Sequence, residues 1–176
     1  MYDTMNTYSG NCFHPMKIKK EDINLIDISH ALSLICRGGG HVQYFYSVGQ
    51  HSINCAKEAE ARGFSKRLVL ACLLHDASEA YISDVIRPVK NHLSNYKEIE
   101  NKIQQAILER FHLPDLTEEE CAAVKWIDNI MLEHELKELL LVEGRDLPEL
   151  LSTPDFALKE MKAVEKDFIQ LAEKYI

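Results

Sequence analysis

The sequence contains 176 residues, of which 46% are hydrophobic and 27% are charged, as expected for one soluble globular domain. The net charge of −8 argues against a binding surface for polymeric nucleic acid, which is normally basic. No apolar run approaches the roughly 20 residues of a membrane span, and no secretory signal is recognisable at the start. The five cysteines have no close pairs, so we expect small core residues in a reducing cytoplasm rather than disulfides.

The first third of the chain predicts a short helix between irregular segments. Residues 1–21 show little periodicity and are expected to wrap the surface. Asp27 or Ser29 is expected to cap a helix that extends to about Ile35, and the run of glycines from Gly38 onwards breaks it. This turn either lets the backbone approach a ligand or is a flexible loop.

Two buried helices are predicted next. Ser47 and Gln50 resemble a capping box, which opens a helix over residues 48–62. Ser65 is expected to cap a second helix over residues 66–80, whose apolar residues lie all round and are typical of a central helix.

The second half predicts three more elements. Pro88 prevents the segment before it from continuing as a helix, and an amphipathic helix follows over residues 96–111. Thr117 with Glu120 forms a second capping box, which opens a long helix that extends through Val142.

A final helix is expected over residues 153–176, with Thr153 as its cap and Pro154 at its first position. No segment is typical of a strand. The sequence therefore predicts an all-α, single-domain helical bundle over residues 1–176, in which residues 25–132 carry the chemistry described next.

Four residues that suit one metal ion lie on these predicted helices: His51, His75, Asp76 and Asp128. Imidazoles with two carboxylates favour one divalent transition metal of the Mn, Co, Zn, Fe or Ni kind, and they leave room for water and substrate. Asp128 is disfavoured in the middle of a helix; metal ligation would explain it, and a surface ion pair with Lys125 is the alternative.

Glu79 lies four residues after His75 and three after Asp76, so the three share one face if the helix is continuous. It is a candidate for general acid–base work, with orientation of His75 as the alternative.

The strings 34-LICRGGGH-41, 47-SVGQHS-52 and 75-HDASEAYISDVIRPVK-90 together resemble the HD-domain metal-dependent phosphohydrolases. The resemblance is narrower to the bacterial 5′-deoxynucleotidase branch and its viral deoxynucleoside-triphosphatase relatives. It depends on an Arg before the first His (Arg37), on Glu79, on Asp84 and on the Pro-Val-Lys step ending at Lys90. One departure is Gly38, where those deoxynucleotidases place a Trp that would line the nucleotide site.

The resemblance implies an HD-type fold in which the four metal-binding candidates hold the ion and Glu79 is catalytic. Asp84 would recognise the sugar or handle protons; the alternative is that it caps a turn. Arg37 is the best candidate for a phosphate clamp. Further cations expected to bind substrate are Lys90 and Lys125, with His41 and Arg87 as weaker candidates.

The sequence thus predicts a 5′-nucleotidase that releases phosphate from deoxynucleoside monophosphates. The alternative enzyme is a triphosphohydrolase that releases tripolyphosphate, which Lys125 and the absent Trp favour. An alternative of another class is a catalytically inactive protein that binds metal or nucleotide. The expected partners are a small nucleotide and a second copy of the chain, and neither a membrane nor a nucleic-acid polymer is expected.

Overall fold

The computed structural model describes residues 3–144 and 146–176, so residues 1 and 2 of the predicted irregular segment and Arg145 lie outside the described residues. The predicted all-α architecture is confirmed. The helices are α1 (Leu25–Leu34), α2 (Val48–Ala61), α3 (Lys66–Leu74), α4 (Glu79–Ile82), α5 (Arg87–Lys90), α6 (Tyr96–Arg110), α7 (Glu118–Leu140) and α8 (Met161–Tyr175).

The N-terminal segment contains a small hairpin that the sequence did not predict. Strand β1 (Met5–Asn6) pairs antiparallel with β2 (Cys12–Phe13), so the expectation of no strand was wrong. The hairpin buries Phe13, whose ring stacks on Tyr81 with centroids 4.6 Å apart. Short 3₁₀ turns then lead into α1.

The core lies where α2 packs against α3 and where α1 packs against α8. Gly49 allows a close approach of these helices, because a Cβ at that position would stand 3.2 Å from the Leu32 backbone and from Val164 Cγ1. α7 crosses against both α2 and α3, and this crossing brings its middle to the two central helices.

Several predicted helix starts are confirmed by their caps. Ser47 accepts a hydrogen bond from the Gln50 backbone, but the expected capping box is not completed, because the Gln50 side chain binds the carbonyls of Asp155 and Ala157 instead. Thr117 forms a reciprocal capping box with Glu120. The start of α1 differs from the prediction, because its cap is Asn24. Asp27 is instead buried and accepts hydrogen bonds from the backbone and hydroxyl of Ser9 at 2.6 and 2.8 Å.

The predicted helix over residues 66–80 breaks after Leu74, and a new short helix begins at Glu79. Nδ1 of His75 donates to the Cys72 carbonyl at 2.7 Å, which competes with continuation of the helical ladder. Gln104 of α6 satisfies the backbone at the break: its side chain donates to the Leu74 carbonyl at 2.8 Å and accepts from the Ser78 amide at 3.2 Å. His75 and Asp76 therefore lie in a turn rather than in mid-helix.

The segment before Pro88 is irregular over residues 83–86, as expected. Pro88 itself lies within the single helical turn α5, near its N-terminus, where a proline is tolerated. One further expectation was wrong. The last helix begins at Met161 rather than at Thr153. Residues 149–157, which we name the strap, have no regular secondary structure and lie along α2.

The strap departs from a helix because side chains of α2 bind its backbone. Gln50 donates to the carbonyls of Asp155 and Ala157 at 2.8 and 2.9 Å. Asn54 donates to the Asp155 carbonyl and accepts from its amide, at 3.0 and 3.1 Å. Glu58 accepts from the amides of Leu151 and Ser152 and from the Ser152 hydroxyl. These bonds use backbone groups that a helix would need for itself.

Within the described ranges 3–144 and 146–176, none of the helices combines the length and apolarity that a membrane crossing requires.

Candidate metal centre

The structure brings together the four residues that the sequence proposed as metal ligands. His51 comes from α2, His75 and Asp76 from the turn after α3, and Asp128 from the middle of α7. Nε2 of His51 lies 3.2 Å from Nε2 of His75, 3.4 Å from an Asp128 oxygen and 3.7 Å from an Asp76 oxygen. Nε2 of His75 lies 3.3 Å from the Asp76 oxygen and 3.7 Å from the Asp128 oxygen.

Both imidazoles are oriented by contacts to their other ring nitrogen. The Cys72 carbonyl can only accept, so Nδ1 of His75 must donate to it. Nδ1 of His51 lies 2.6 Å from an oxygen of Glu135, which is the partner that fixes its ring. In the neutral form both Nε2 atoms therefore carry their lone pairs towards the two aspartates.

The spacing of these atoms fits a single divalent cation. Metal–ligand bonds of about 2.0–2.2 Å place neighbouring ligand atoms roughly 3.0–3.6 Å apart, and the measured separations run from 3.2 to 3.7 Å. Two nitrogen and two carboxylate ligands would leave positions for water and substrate.

A second possible metal-binding group shares the histidines. Ligand atoms of His51, Cys55 and His75 all lie within 4.8 Å of one another, and Cys55 Sγ is 3.5 Å from Nε2 of His51. The sequence had suggested that Cys55 is a small core residue. Its spacing of four residues from His51 places both on one face of α2 and was the available signal.

The electrostatics of the cluster show that it attracts positive charge. Burial alone would lower the pKa of His75, but Asp76 and Asp128 outweigh it and raise that pKa well above its usual value. Burial would raise the pKa of Asp128, yet His51 and His75 hold it far below its normal range. Positive charge on the histidines, or on a bound cation, would therefore offset the cost of burying these carboxylates.

Glu135 is a functional candidate that sequence reasoning missed. It is buried, and its oxygens accept from Tyr46 at 2.9 Å and from Arg37 at 3.3 Å in addition to the contact with His51. Burial would raise its pKa, but His51 and Arg37 lower it, so the carboxylate is ionised. Glu135 follows Asp128 by seven residues, two helical turns, which places both on the same face of α7.

Arg37 lies beside the cluster, as a phosphate clamp requires. Its guanidinium donates to Asp76 at 3.0 Å and to Glu135 at 3.3 Å, and the side chain is only 13% exposed. Nη2 also lies 3.3 Å from Nδ1 of His51. The guanidinium carries more N–H donors than these contacts use, so donors are left for a ligand. The turn that follows Arg37 helps to place it, because Gly38 and Gly39 adopt left-handed backbone conformations that turn the chain sharply.

Glu79 lies next to this group and is buried. Burial, reinforced by the charges of Asp76 and Asp84, raises its pKa to about 9. One oxygen lies 3.6 Å from Lys90 Nζ, whereas the other is buried without a hydrogen-bond partner in the described part of the chain. A protonated, unpartnered carboxyl at this position is suited to proton transfer.

The remaining proposed residues are placed less uniformly. Asp84 accepts from the Gly38 amide at 3.2 Å and thereby supports the Arg37 loop. Lys90 is held by Glu100 at 2.6 Å, on the Glu79 side of the site. Lys125 and Arg87 both contact Asp128, at 2.8 and 3.3 Å, from the outside.

His41 is not brought to the cluster. It is exposed at the end of the glycine turn, and its imidazole makes no side-chain contact with the cluster among the residues described. The surface ion pair between Asp128 and Lys125, which the sequence offered as an alternative to metal ligation, does form. It uses the other oxygen of Asp128 and leaves Oδ1 facing the two histidines.

Sequence comparisons identify relatives of this chain. No protein-family model matches it. It is 39% identical over 150 residues to the uncharacterized protein YfdR of Escherichia coli. The aligned residues make up 85% of this chain and 80% of YfdR. It is 32% identical over 141 residues to an uncharacterized protein of Rhodobacter capsulatus, and these residues make up 76% of this chain and 71% of that protein. With this identity and coverage, the chain belongs to the protein family of YfdR.

Proposed function

We propose that this protein is a divalent-metal-dependent phosphohydrolase of the HD-domain type that acts on nucleotides, most specifically as a 5′-nucleotidase on deoxynucleoside monophosphates. One observation carries the proposal. Nitrogens of two oriented histidines and oxygens of two aspartates meet at 3.2–3.7 Å. Four such acceptors are costly to gather inside a protein unless a cation joins them.

The residues that would hold the ion are His51, His75, Asp76 and Asp128. A divalent cation held by them would supply Lewis acidity towards a phosphate oxygen and would lower the pKa of a water molecule. The Asp76 side chain is 20% exposed, whereas that of His51 is fully buried, so a substrate would approach from the Asp76 side.

Arg37 supports a phosphate substrate rather than a neutral one. Its guanidinium stands between Asp76 and Glu135, which hold its plane in position. Its remaining N–H donors can bind phosphate oxygens in two parallel hydrogen bonds. An arginine fixed in advance loses little conformational entropy when the phosphate binds, and it stabilises charge that builds up on the equatorial oxygens.

Glu79 is the proposed acid–base group. Its unpartnered oxygen and its position beside Arg37 and Lys90 suit donation of a proton to the leaving nucleoside oxygen. Asp84 is proposed to contribute to the nucleotide site by holding the loop that carries Arg37. Lys90 would add a point charge near Glu79.

The test is release of phosphate from a panel of deoxy- and ribonucleotides with Mn²⁺, Co²⁺ or Zn²⁺, run on the parent and on Asp128→Asn. We expect metal-dependent orthophosphate release by the parent from deoxynucleoside monophosphates and none by the variant. Absence of turnover on every nucleotide with every metal contradicts the proposal. Metal retained without hydrolysis, measured by native mass spectrometry, identifies a binding protein instead.

The triphosphohydrolase alternative is favoured by a specific feature. Lys125 and Arg87 contact the outer oxygen of Asp128, and their side chains are 57% and 52% exposed. Two cations at the rim would suit additional phosphates of a triphosphate chain. Chromatography of the products from a deoxynucleoside triphosphate decides between the two: tripolyphosphate supports this alternative, and orthophosphate alone excludes it.

A further inference from the structure

Cys55 is a buried thiol that the proposed hydrolysis does not use. It lies one turn after His51 on α2, and its Sγ is 3.5 Å from Nε2 of that histidine. This is the nitrogen that also faces Asp128 Oδ1 at 3.4 Å. The thiol therefore borders the same small volume as the carboxylates.

Two different ligand sets can be drawn from this volume, and both contain the two histidines. One set adds the oxygens of Asp76 and Asp128, which suit harder ions such as Mn²⁺ or Mg²⁺. The other adds the sulfur of Cys55, within 4.8 Å of both histidine ligand atoms. Thiolates favour softer ions such as Zn²⁺ and Cd²⁺.

We propose that Cys55 gives the centre a second, thiophilic ligand set, His51–Cys55–His75, through which Zn²⁺ or Cd²⁺ displaces harder ions. The proposal rests on the proposed function only in so far as His51 and His75 bind a cation. When the sulfur–metal bond forms, the thiol releases its proton to solvent, so one proton leaves for each ion captured through Cys55.

The chain offers a matched control in Cys72. Cys72 is also buried and lies on α3, the helix that packs against α2. Its contact with the site is made by its backbone carbonyl, which accepts from His75. Replacing its side chain removes a thiol of the same burial but leaves the contact to His75 in place. If replacement of Cys55 changes metal binding and replacement of Cys72 does not, the change is therefore due to loss of a metal ligand.

The first experiment is the absorption spectrum of Co²⁺ added to the metal-free full chain. In the parent and in Cys72→Ala we expect a sulfur-to-cobalt charge-transfer band in the near ultraviolet. We expect the band to be absent in Cys55→Ser and Cys55→Ala. The same band in all four proteins, or in none of them while Co²⁺ is bound, overturns the proposal.

The second experiment is displacement of bound Mn²⁺ by Cd²⁺, followed through the electron paramagnetic resonance signal of free Mn²⁺. Loss of Cys55 should raise the Cd²⁺ concentration needed to displace Mn²⁺ by more than about 10-fold. Loss of a residue that only supports a ligand already costs about 10-fold or more in metal affinity, so loss of a ligand should cost at least as much. Loss of Cys55 should change Mn²⁺ affinity less than about 3-fold. Equal displacement in parent and Cys55→Ser contradicts the proposal.

The two proposals fail in distinguishable ways. If the parent binds neither Co²⁺ nor Mn²⁺, the phosphohydrolase proposal and this inference fall together. If the parent binds both ions and Cys55→Ser behaves like the parent, only the thiophilic set is refuted. Because Cys55 is buried, each variant is first compared with the parent by circular dichroism, and Cys55→Val serves where a smaller or polar side chain prevents folding.

Discussion

Two faces of α2 handle buried polar side chains in opposite ways. On the strap face, Gln50, Asn54 and Glu58 meet backbone groups of complementary kind, so donors face acceptors along the whole row. On the inner face, His51 points a ring nitrogen at another ring nitrogen and at two carboxylates. The same helix thus carries one polar surface whose donors and acceptors are paired within the protein and one at which we propose that a cation binds.

The difference separates a structural polar network from a candidate functional one. A satisfied buried network stabilises one arrangement of the chain, whereas an array of converging acceptors carries a desolvation cost until a cation binds. The two faces are connected, because Asn54 donates to the Tyr46 hydroxyl at 3.0 Å and Tyr46 donates to Glu135. Mutations on each face can test the contrast.

Replacement of Asp76 by Ala should have the largest effect. It removes one proposed ligand and a partner of Arg37, so we expect loss of the bound cation and of turnover to the background rate. Native mass spectrometry and phosphate release measure the two losses. Asp155→Asn changes a carboxylate of the strap and should leave metal binding and turnover unchanged. Full activity of Asp76→Ala would show that the inner face of α2 takes no part in the reaction.

Glu79→Gln should retain the cation and lower kcat by about 10²–10⁴-fold, because it keeps the shape of the side chain but cannot transfer the proton. Steady-state kinetics with the metal content measured in parallel provide the test. Glu100→Gln is the control, since Glu100 also contacts Lys90 but is not proposed to act in the reaction. Equal rates in variant and parent would exclude acid–base work by Glu79.

Glu135→Gln should weaken cation binding by about 10–100-fold, the usual range for a partner that orients a ligating histidine. The amide no longer provides the negative charge that fixes both His51 and Arg37. Isothermal titration with Mn²⁺ measures the change. Glu138→Gln, on an exposed position of the same helix, should have no effect, and an unchanged affinity in Glu135→Gln would show that His51 needs no support.

Glu58→Gln tests the strap face of α2 and should affect the stability of the fold rather than metal binding. We expect a loss of about 1.5–3 kcal/mol in the free energy of unfolding at pH 7, because hydrogen bonds to a charged acceptor are weakened. Denaturant unfolding provides the measurement. Glu60 lies on the same helix as Glu58 and forms an exposed ion pair with Lys174 of α8. Glu60→Gln breaks this pair and should cost less than about 1 kcal/mol.

The pH dependence sharpens this last comparison. Burial alone would raise the pKa of Glu58, but bonds from Ser152 and Leu151 lower it below its usual 4.5. A lowered pKa means that the stabilisation is fully present above the unfolded value and is lost as the pH falls through the folded value. The difference between parent and Glu58→Gln should therefore shrink below about pH 4.5, and a constant gap would contradict this account.

The sequence predicted helices well where both caps and periodicity were local. The starts of α2, α3 and α7 are fixed by Ser47, Ser65 and Thr117, each of which accepts a hydrogen bond from the backbone three residues on. The strap was missed because its conformation is set by side chains about 100 residues earlier in the chain. No local pattern near Thr153 contains that information.

The candidate site shows the same division. His51, His75, Asp76 and Asp128 were identifiable from residue type and motif, and they do converge. The break after Leu74 was not predictable, because it depends on Gln104 from another helix. Glu135 was within reach, since its spacing from Asp128 places it on the same helical face.

The way in which α2 holds the strap has a consequence for how related sequences diverge. Within the strap, Gln50 and Asn54 bind main-chain atoms of Asp155 and Ala157, which every amino acid except proline offers in the same form. Residue identity at positions 155 and 157 can therefore drift with little loss of these bonds, while the amides on α2 cannot be exchanged freely. In a collection of homologous chains, we expect substitutions to accumulate at positions 155 and 157 and to be rare at 50 and 54.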